Sequence, residues 1–256
     1  MVVFGSRKTA HSRRRALQTT TDMPYFKAEW MESGDDPMLS PTIFMVEQPP
    51  NSTVDPHFHG QNQFQLFVEG SGVIGQSAIQ IVTVHYAGAY TGYGPLASGP
   101  EGIKYFTIRP VCESGANFIK DSRHKMVRGP KRHATSQPIP PLQEDERMAL
   151  AGTQVAEAIP VGEDGLGARV LRLPPGTPVR TPFPKAASGT FMIVLGGSVR
   201  YDCGELFHWE SVFASTEEEL PVLRAGATGA EVVFLFTPAK SQAYLGLHPN
   251  QPQETT

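Results

Sequence analysis

Cysteine is almost absent. The 256 residues include only Cys112 and Cys203, far apart and in no C-x-x-C pattern. Free thiols in a reducing compartment are expected over a single disulfide, and the cytoplasm is the expected location. Charge of one sign is lacking too. The net charge is −3, so nothing global points to a nucleic-acid partner. No apolar run approaches the roughly 18 residues of a membrane span. An export signal is missing as well: the first 22 residues hold five Lys/Arg and one acidic residue, but Ala16-Leu17-Gln18-Thr19 is no apolar core for a secretory leader. A transit peptide is compatible with that composition. A disordered tail is the reading adopted, with Met23 as an alternative start.

What is present is turn chemistry. With 25 Gly, 23 Pro and 39% apolar residues, the chain can pack a core but not many long helices, which favours a sandwich or barrel. Its length suits one large all-β domain or two small ones. Residues 1–39 read as a disordered or irregular extension, with Phe26 and Trp30 packing on the core. Thr42 to Glu47 reads as a strand stopped by Pro49-Pro50. Ser77 to Tyr86 alternates as another, and Ile103 to Ile108 closes a glycine-rich excursion before Arg109-Pro110. Residues 111–167 read as a linker. It holds a basic cluster (Lys120, Arg123, Lys125, Arg128, Lys131 and Arg132), a proline-rich break at 137–141 and a short helix at 142–150. The cluster reads as solvated surface; an edge of a site for an anionic substrate is the sharper alternative.

The punctuation then repeats. Val170 to Leu173 is stopped by Pro174-Pro175-Gly176. A shift of 126 sets Pro182 on Pro56, Val194 on Val68, Gly196 on Gly70 and Pro221 on Pro95, growing to 128 where Val232 to Phe236 meets Pro238. A repeat this long is a duplicated domain rather than a solenoid unit. Two all-β modules are expected, at 40–110 and 168–245, with a tail at 246–256.

Chemistry concentrates in one stretch, Pro56 to Gly72, PHFHGQNQFQLFVEGSG. His57 and His59 share one face of an extended strand, because side chains alternate with a period of two. Gln63 lies four residues beyond His59 and reaches the same face across a short turn. A hydrogen-bonded histidine pair in a polar pocket is the plain reading, and a metal site is the sharper one. At a shift of 126 the second copy has Phe183, Lys185 and Gly189 in the places of His57, His59 and Gln63, so any chemistry is expected in the first copy. The second is read as a structural or dimerising module, with a homodimer as the corresponding assembly.

This stretch resembles the first motif of the cupin superfamily, in which H-x-H is followed by a glutamate and a closing glycine. His57, His59 and Gly70 fall at the family positions, and Gln63 stands where the glutamate would be. In the second motif Gly92 keeps the glycine, but Pro95 replaces the histidine and Gly99 the asparagine. The resemblance implies two tandem jelly-roll barrels joined by a short helical or irregular linker. It also implies a divalent metal ion (Fe, Zn, Mn, Ni or Cu) held by His57, His59, Gln63 and His85, with Tyr93 and Tyr105 lining a substrate pocket. The expected function is a metal-binding, dioxygenase-like oxidoreductase acting on a small organic molecule. A non-catalytic binding or structural bicupin, and a metal-free epimerase-like enzyme with a histidine base and a tyrosine, are the alternatives.

Overall fold

Alternation of apolar and polar residues dictates strands, and strands dominate the computed structural model, which describes residues 1–17, 23–31, 41–113, 115–180, 184–216, 218 and 220–247. In chain order the elements are β1 (Val2–Gly5), α1 (Arg7–Ser12), β2 (Arg15–Leu17), β3 (Tyr25–Met31), β4 (Thr42–Gln48), β5 (Thr53–Val54), β6 (His57–Phe58), β7 (Gln63–Ile74), β8 (Ser77–Ile79), β9 (Thr83–Ala87), β10 (Leu96–Arg109) and β11 (Asn117–Phe118). Then follow α2 (Ile119–Ser122), β12 (His133–Thr135), α3 (Glu144–Met148), β13 (Gln154–Ile159), β14 (Gly167–Leu173), β15 (Ala187–Tyr201), β16 (Gly204–Leu206), β17 (Ser211–Ser215) and β18 (Arg224–Pro238). Among the described residues no helix is long and apolar enough to cross a membrane.

The long strands form two antiparallel sheets. The first runs β12-β9-β7-β10-β4-β3-β2, with β5 on β10 and β8 on β7; the second runs β1-β17-β15-β18-β14-β13, with β16 on β15. A separate ribbon pairs β6 with β11. Period two sorts the side chains. Phe64, Leu66, Ile43, Phe106 and Ile108 of the first sheet join Phe191, Ile193, Val233 and Leu235 of the second in one shared core. Each such side chain contributes roughly 2 kcal/mol when fully buried, so this layer welds the sheets together. The opposite faces line separate interiors, one built around Phe67, Leu96 and Tyr105 and the other around Met192, Val194 and Phe234.

Three expectations need correction. The first 17 residues are not a disordered tail. β1 pairs with β17 from Val2↔Ala214 to Gly5↔Ser211, while β2 and β3 extend the first sheet through β4. Phe4 stacks on Tyr201 with centroids 4.8 Å apart, and Ala10 is buried in the shared core. The chain start therefore clasps both sheets. Nor are residues 111–167 a plain linker, since β12 adds an edge strand to the first sheet and β13 to the second.

The third correction concerns register. β7 and β15 each carry a left-handed glycine, Gly70 (φ 76°) and Gly197 (φ 67°). A Cβ at either would meet the carbonyl oxygen of the facing glycine, Gly102 or Gly229. Gly197, not Gly196, is thus the counterpart of Gly70, an offset of 127. β7 pairs Gln63 with Ala87 and β15 pairs Thr190 with Ala214, so Thr190 rather than Gly189 answers Gln63. Of the other second-copy positions, Pro182 and Phe183 lie outside the described residues, and Lys185 is exposed in a turn rather than inside the sheet.

Candidate functional site

Three strands of the first sheet and one short ribbon converge. On β7, Gln63 falls on the face opposite Phe64 and Leu66. On β10, Arg109 shares the face of Tyr105, and on β9, His85 lies opposite Val84 and Tyr86. The ribbon supplies His57, whose backbone exchanges hydrogen bonds with Tyr93 at 3.1 and 3.0 Å. His57, His59, Gln63, His85, Tyr93 and Arg109 are all buried.

The contacts fix most of these groups. The His57 and Tyr93 ring centroids lie 4.5 Å apart and those of His57 and His59 5.3 Å apart. His57 Nδ1 sits 2.8 Å from the Asp55 carbonyl oxygen. A carbonyl only accepts, so Nδ1 carries the proton and Nε2 is the free basic nitrogen. Gln63 donates through Nε2 to the Tyr93 hydroxyl and accepts at Oε1 from Arg109 Nε at 3.0 Å. Arg109 also donates through Nη1 to the Glu113 carbonyl at 2.9 Å, and its Nη2 lies 3.2 Å from the His59 ring nitrogens. The Glu113 carboxylate accepts from the amides of Gly60 at 2.8 Å and Gln61 at 3.2 Å. His85 meets Tyr93 with centroids 5.3 Å apart, bonds Thr135 Oγ1 through Nδ1 at 2.8 Å, and leaves Nε2 buried without a partner. Tyr105 belongs to the same apolar cluster as Tyr93.

Burial sets the protonation states. It pushes His59 well below its ordinary range, helped by the positive charge of Arg109. It lowers His57 against the opposing pull of the Asp55 carbonyl, and lowers His85 to about 3. Burial raises Tyr93 and Tyr105, and it raises Glu113 against Arg109 and the two amides. The site holds three neutral imidazoles, a neutral phenol, and one guanidinium beside one carboxylate.

Two members of the site, Arg109 and Glu113, were not anticipated. For Arg109 a signal exists: in Tyr105-Phe106-Thr107-Ile108-Arg109 the period of two puts Arg109 on the face of Tyr105. Glu113 sits in a loop, where no periodicity marks it.

The expected metal set does not fit this arrangement. Arg109 already donates to Gln63 Oε1 and abuts His59, so two of the four expected donors face a cation. A divalent ion about 4 Å from a guanidinium is opposed by roughly 8 kcal/mol at an effective dielectric of about 20. Among the described residues no group of three His, Cys, Asp or Glu is placed to hold a metal ion.

No family model and no curated protein matches the chain. Solved structures do. A candidate dioxygenase from Nostoc punctiforme shares 9% identity at a TM-score of 0.61, over 95% of this chain and 85% of its own. An oxalate decarboxylase shares 9% at 0.58, over 90% and 76%. The pirin YhhW from Escherichia coli, in complex with nickel(II), shares 13% at 0.53, over 93% and 99%. The fold is the cupin fold, built from antiparallel sheets.

Proposed function

We propose that this cupin-fold chain binds a small organic molecule in the interior of its first sheet, with Arg109 as the charged element of the site in place of a divalent metal. One observation carries the reading: the buried guanidinium sits 3.0 Å from Gln63 Oε1 and 3.2 Å from the His59 ring. His57 Nε2 and the Tyr93 hydroxyl then stand side by side as a neutral acceptor and a neutral donor for a bound molecule. The test is metal analysis of protein purified without chelator or affinity-tag metal, with melting temperatures in added Ni(II), Fe(II), Mn(II) and Zn(II). No stoichiometric metal and no concentration-dependent stabilisation are expected. One tightly held equivalent per chain would sink the reading.

A second reading keeps the metal and a dioxygenase-like oxidation of a small substrate. It is favoured by His85 Nε2, a buried imidazole nitrogen with no partner, and by the nickel held in the pirin of the same fold. In that reading His57, His59 and His85 would have to close up around the ion with Arg109 displaced from His59, and the ion would supply oxygen activation or Lewis acidity. The same metal analysis decides between the two.

A further inference from the structure

We infer that the ligand of this site is an organic anion, a small carboxylate, admitted beneath a basic strap formed by residues 117–132. This rests on the reading of the first-sheet interior as a small-molecule site with Arg109 as its cation.

The strap is tied to the site by its start. β11 pairs with β6 through Asn117↔Phe58 and Phe118↔His57, and the Ile119 amide donates to the Pro56 carbonyl at 2.9 Å. The Phe118 ring stands 5.9 Å from that of His57. Its other end is pinned by Tyr244, whose hydroxyl donates to the Pro130 carbonyl at 2.7 Å. The segment is thus fastened at both ends: it meets the site at Phe118, beside His57, and then packs through Ile119, Met126 and Val127 on Phe58, Ala89, Tyr90 and Tyr244.

Its charge is one-sided. Residues 120–132 hold six Lys/Arg and one acid, Asp121, in a chain whose net charge is −3. Lys120 pairs with Asp55 at 2.8 Å and Arg132 with Asp164. Arg123, Lys125 and Arg128 make no ion pair among the described residues. A surface present only for solubility intersperses both signs. An uncompensated run beside a buried site raises the local concentration of anions and speeds their capture.

Inside, the counter-charge is already committed. Glu113 accepts from two backbone amides and leans on His59 at 3.7 Å, so it offsets Arg109 without covering it. A guanidinium has five N–H donors. Nε of Arg109 reaches Gln63, Nη1 the Glu113 carbonyl and Nη2 the His59 ring, so the donors not used in these contacts are the ones a ligand oxygen would take. His85 Nε2, buried and unpartnered, adds a further polar contact on the Tyr93 side. Guanidinium N–H groups match carboxylate geometry, and the strap supplies the attraction that the balanced interior lacks.

The test is calorimetric titration of the full chain with benzoate, oxalate and pyruvate, each against the uncharged amide of the same skeleton. At least one carboxylate is expected to bind at least about tenfold more tightly than its amide, with affinity falling as salt rises. The exposed double variant Arg123→Glu/Arg128→Glu should weaken that binding about tenfold and flatten its salt dependence, at an unchanged melting temperature. Arg109→Gln should abolish it; the strap variant keeps the test valid if Arg109→Gln folds poorly. Amides that bind as well as carboxylates, or a strap variant that binds like the parent, would overturn the anion inference while leaving the small-molecule site intact. Binding by none of the six probes would also overturn it. One equivalent of tightly held metal in the parent would instead remove the reading on which it rests.

Discussion

At matched positions of the two sheets, Gln63, Gln65, His85, Thr107 and Arg109 in the first interior answer Thr190, Met192, Val212, Phe234 and Phe236 in the second. The strands pair alike and the faces between the sheets are equally apolar, yet one interior is a hydrocarbon core and the other a network of buried polar groups. Burying a polar group is unfavourable unless it is hydrogen-bonded, and at two of these positions, Gln65 Oε1 and His85 Nε2, the buried atom has no partner. The comparison sets an apolar interior in the second sheet against a polar one in the first. It can be broken by swapping single residues across the matched positions.

The largest expected effect is on acid stability. His85 is folded neutral with its pKa lowered to about 3, from an unfolded value near 6.5. A depressed imidazole contributes stability above the unfolded pKa and loses it as pH falls toward the folded one. At roughly 1.4 kcal/mol per pKa unit, up to about 5 kcal/mol is lost between pH 6.5 and 3. His57 and His59 shift in the same direction. His85→Val, which copies Val212, should lower the acid-unfolding midpoint. An unchanged midpoint in acid titrations followed by circular dichroism would show that burial of His85 does not govern it.

Next comes the guanidinium. Arg109→Ala strips donors from Gln63 and leaves the Glu113 carboxylate buried with less compensation, at a cost of about 3–5 kcal/mol. Phe236→Ala, at the matched position, should cost a similar about 3–5 kcal/mol through its cavity. The two losses differ in pH dependence. Glu113 is raised by burial, and without Arg109 it rises further. Stability of the variant then falls as pH climbs through the window between the unfolded and folded values of that carboxyl. The cost of Phe236→Ala should be flat across the same window. Parallel denaturant midpoints from pH 5 to 8 decide this, and parallel curves for the two variants would refute a buried charge at Arg109.

The sequence carried the all-β class and the faces of the strands, because Phe64-Gln65-Leu66-Phe67 and its like alternate with period two. It also carried the approach of His57, His59, Gln63 and Tyr93, since His57 and His59 sit two residues apart and Gln63 opens the next strand. Glu113 and the clasp of β1 were not legible, and of Arg109 only its strand face was, for one physical reason: each acts through a partner far along the chain. Val2 meets Ala214, and Arg109 meets Gln63 and His59, through pairings that no local pattern encodes. A motif names donors and not the neighbouring cation, which here already contacts Gln63 and His59.

The third expected effect tests the clasp. Removing residues 1–22 deletes β1, α1 and β2 and uncovers the edge of β17. Four residue pairs are lost from the second sheet, and at about 1 kcal/mol per net hydrogen bond the cost should exceed about 2 kcal/mol. The melting temperature should drop by several degrees. A truncated chain that melts with the parent would return the first residues to a loose extension.

The smallest expected effect settles the register on which the matching depends. Gly197 has a positive φ, and a Cβ there meets the backbone of Gly229, as a Cβ at Gly70 meets the backbone of Gly102. Gly70→Ala and Gly197→Ala should therefore each cost about 1–3 kcal/mol, combining a left-handed conformation with a backbone clash. Gly196 behaves differently. Its pairing with Glu231 matches that of Glu69 with Lys104, so the equivalent position already carries a side chain in the first sheet. A Cβ at Gly196 meets the tip of Arg147 at 2.9 Å, an atom that can give way. Gly196→Ala should cost less than about 1 kcal/mol. If Gly196→Ala proves the costlier of the two in matched thermal melts, the offset reverts to 126, Gly189 answers Gln63, and a one-residue slip turns every matched side chain to the opposite face.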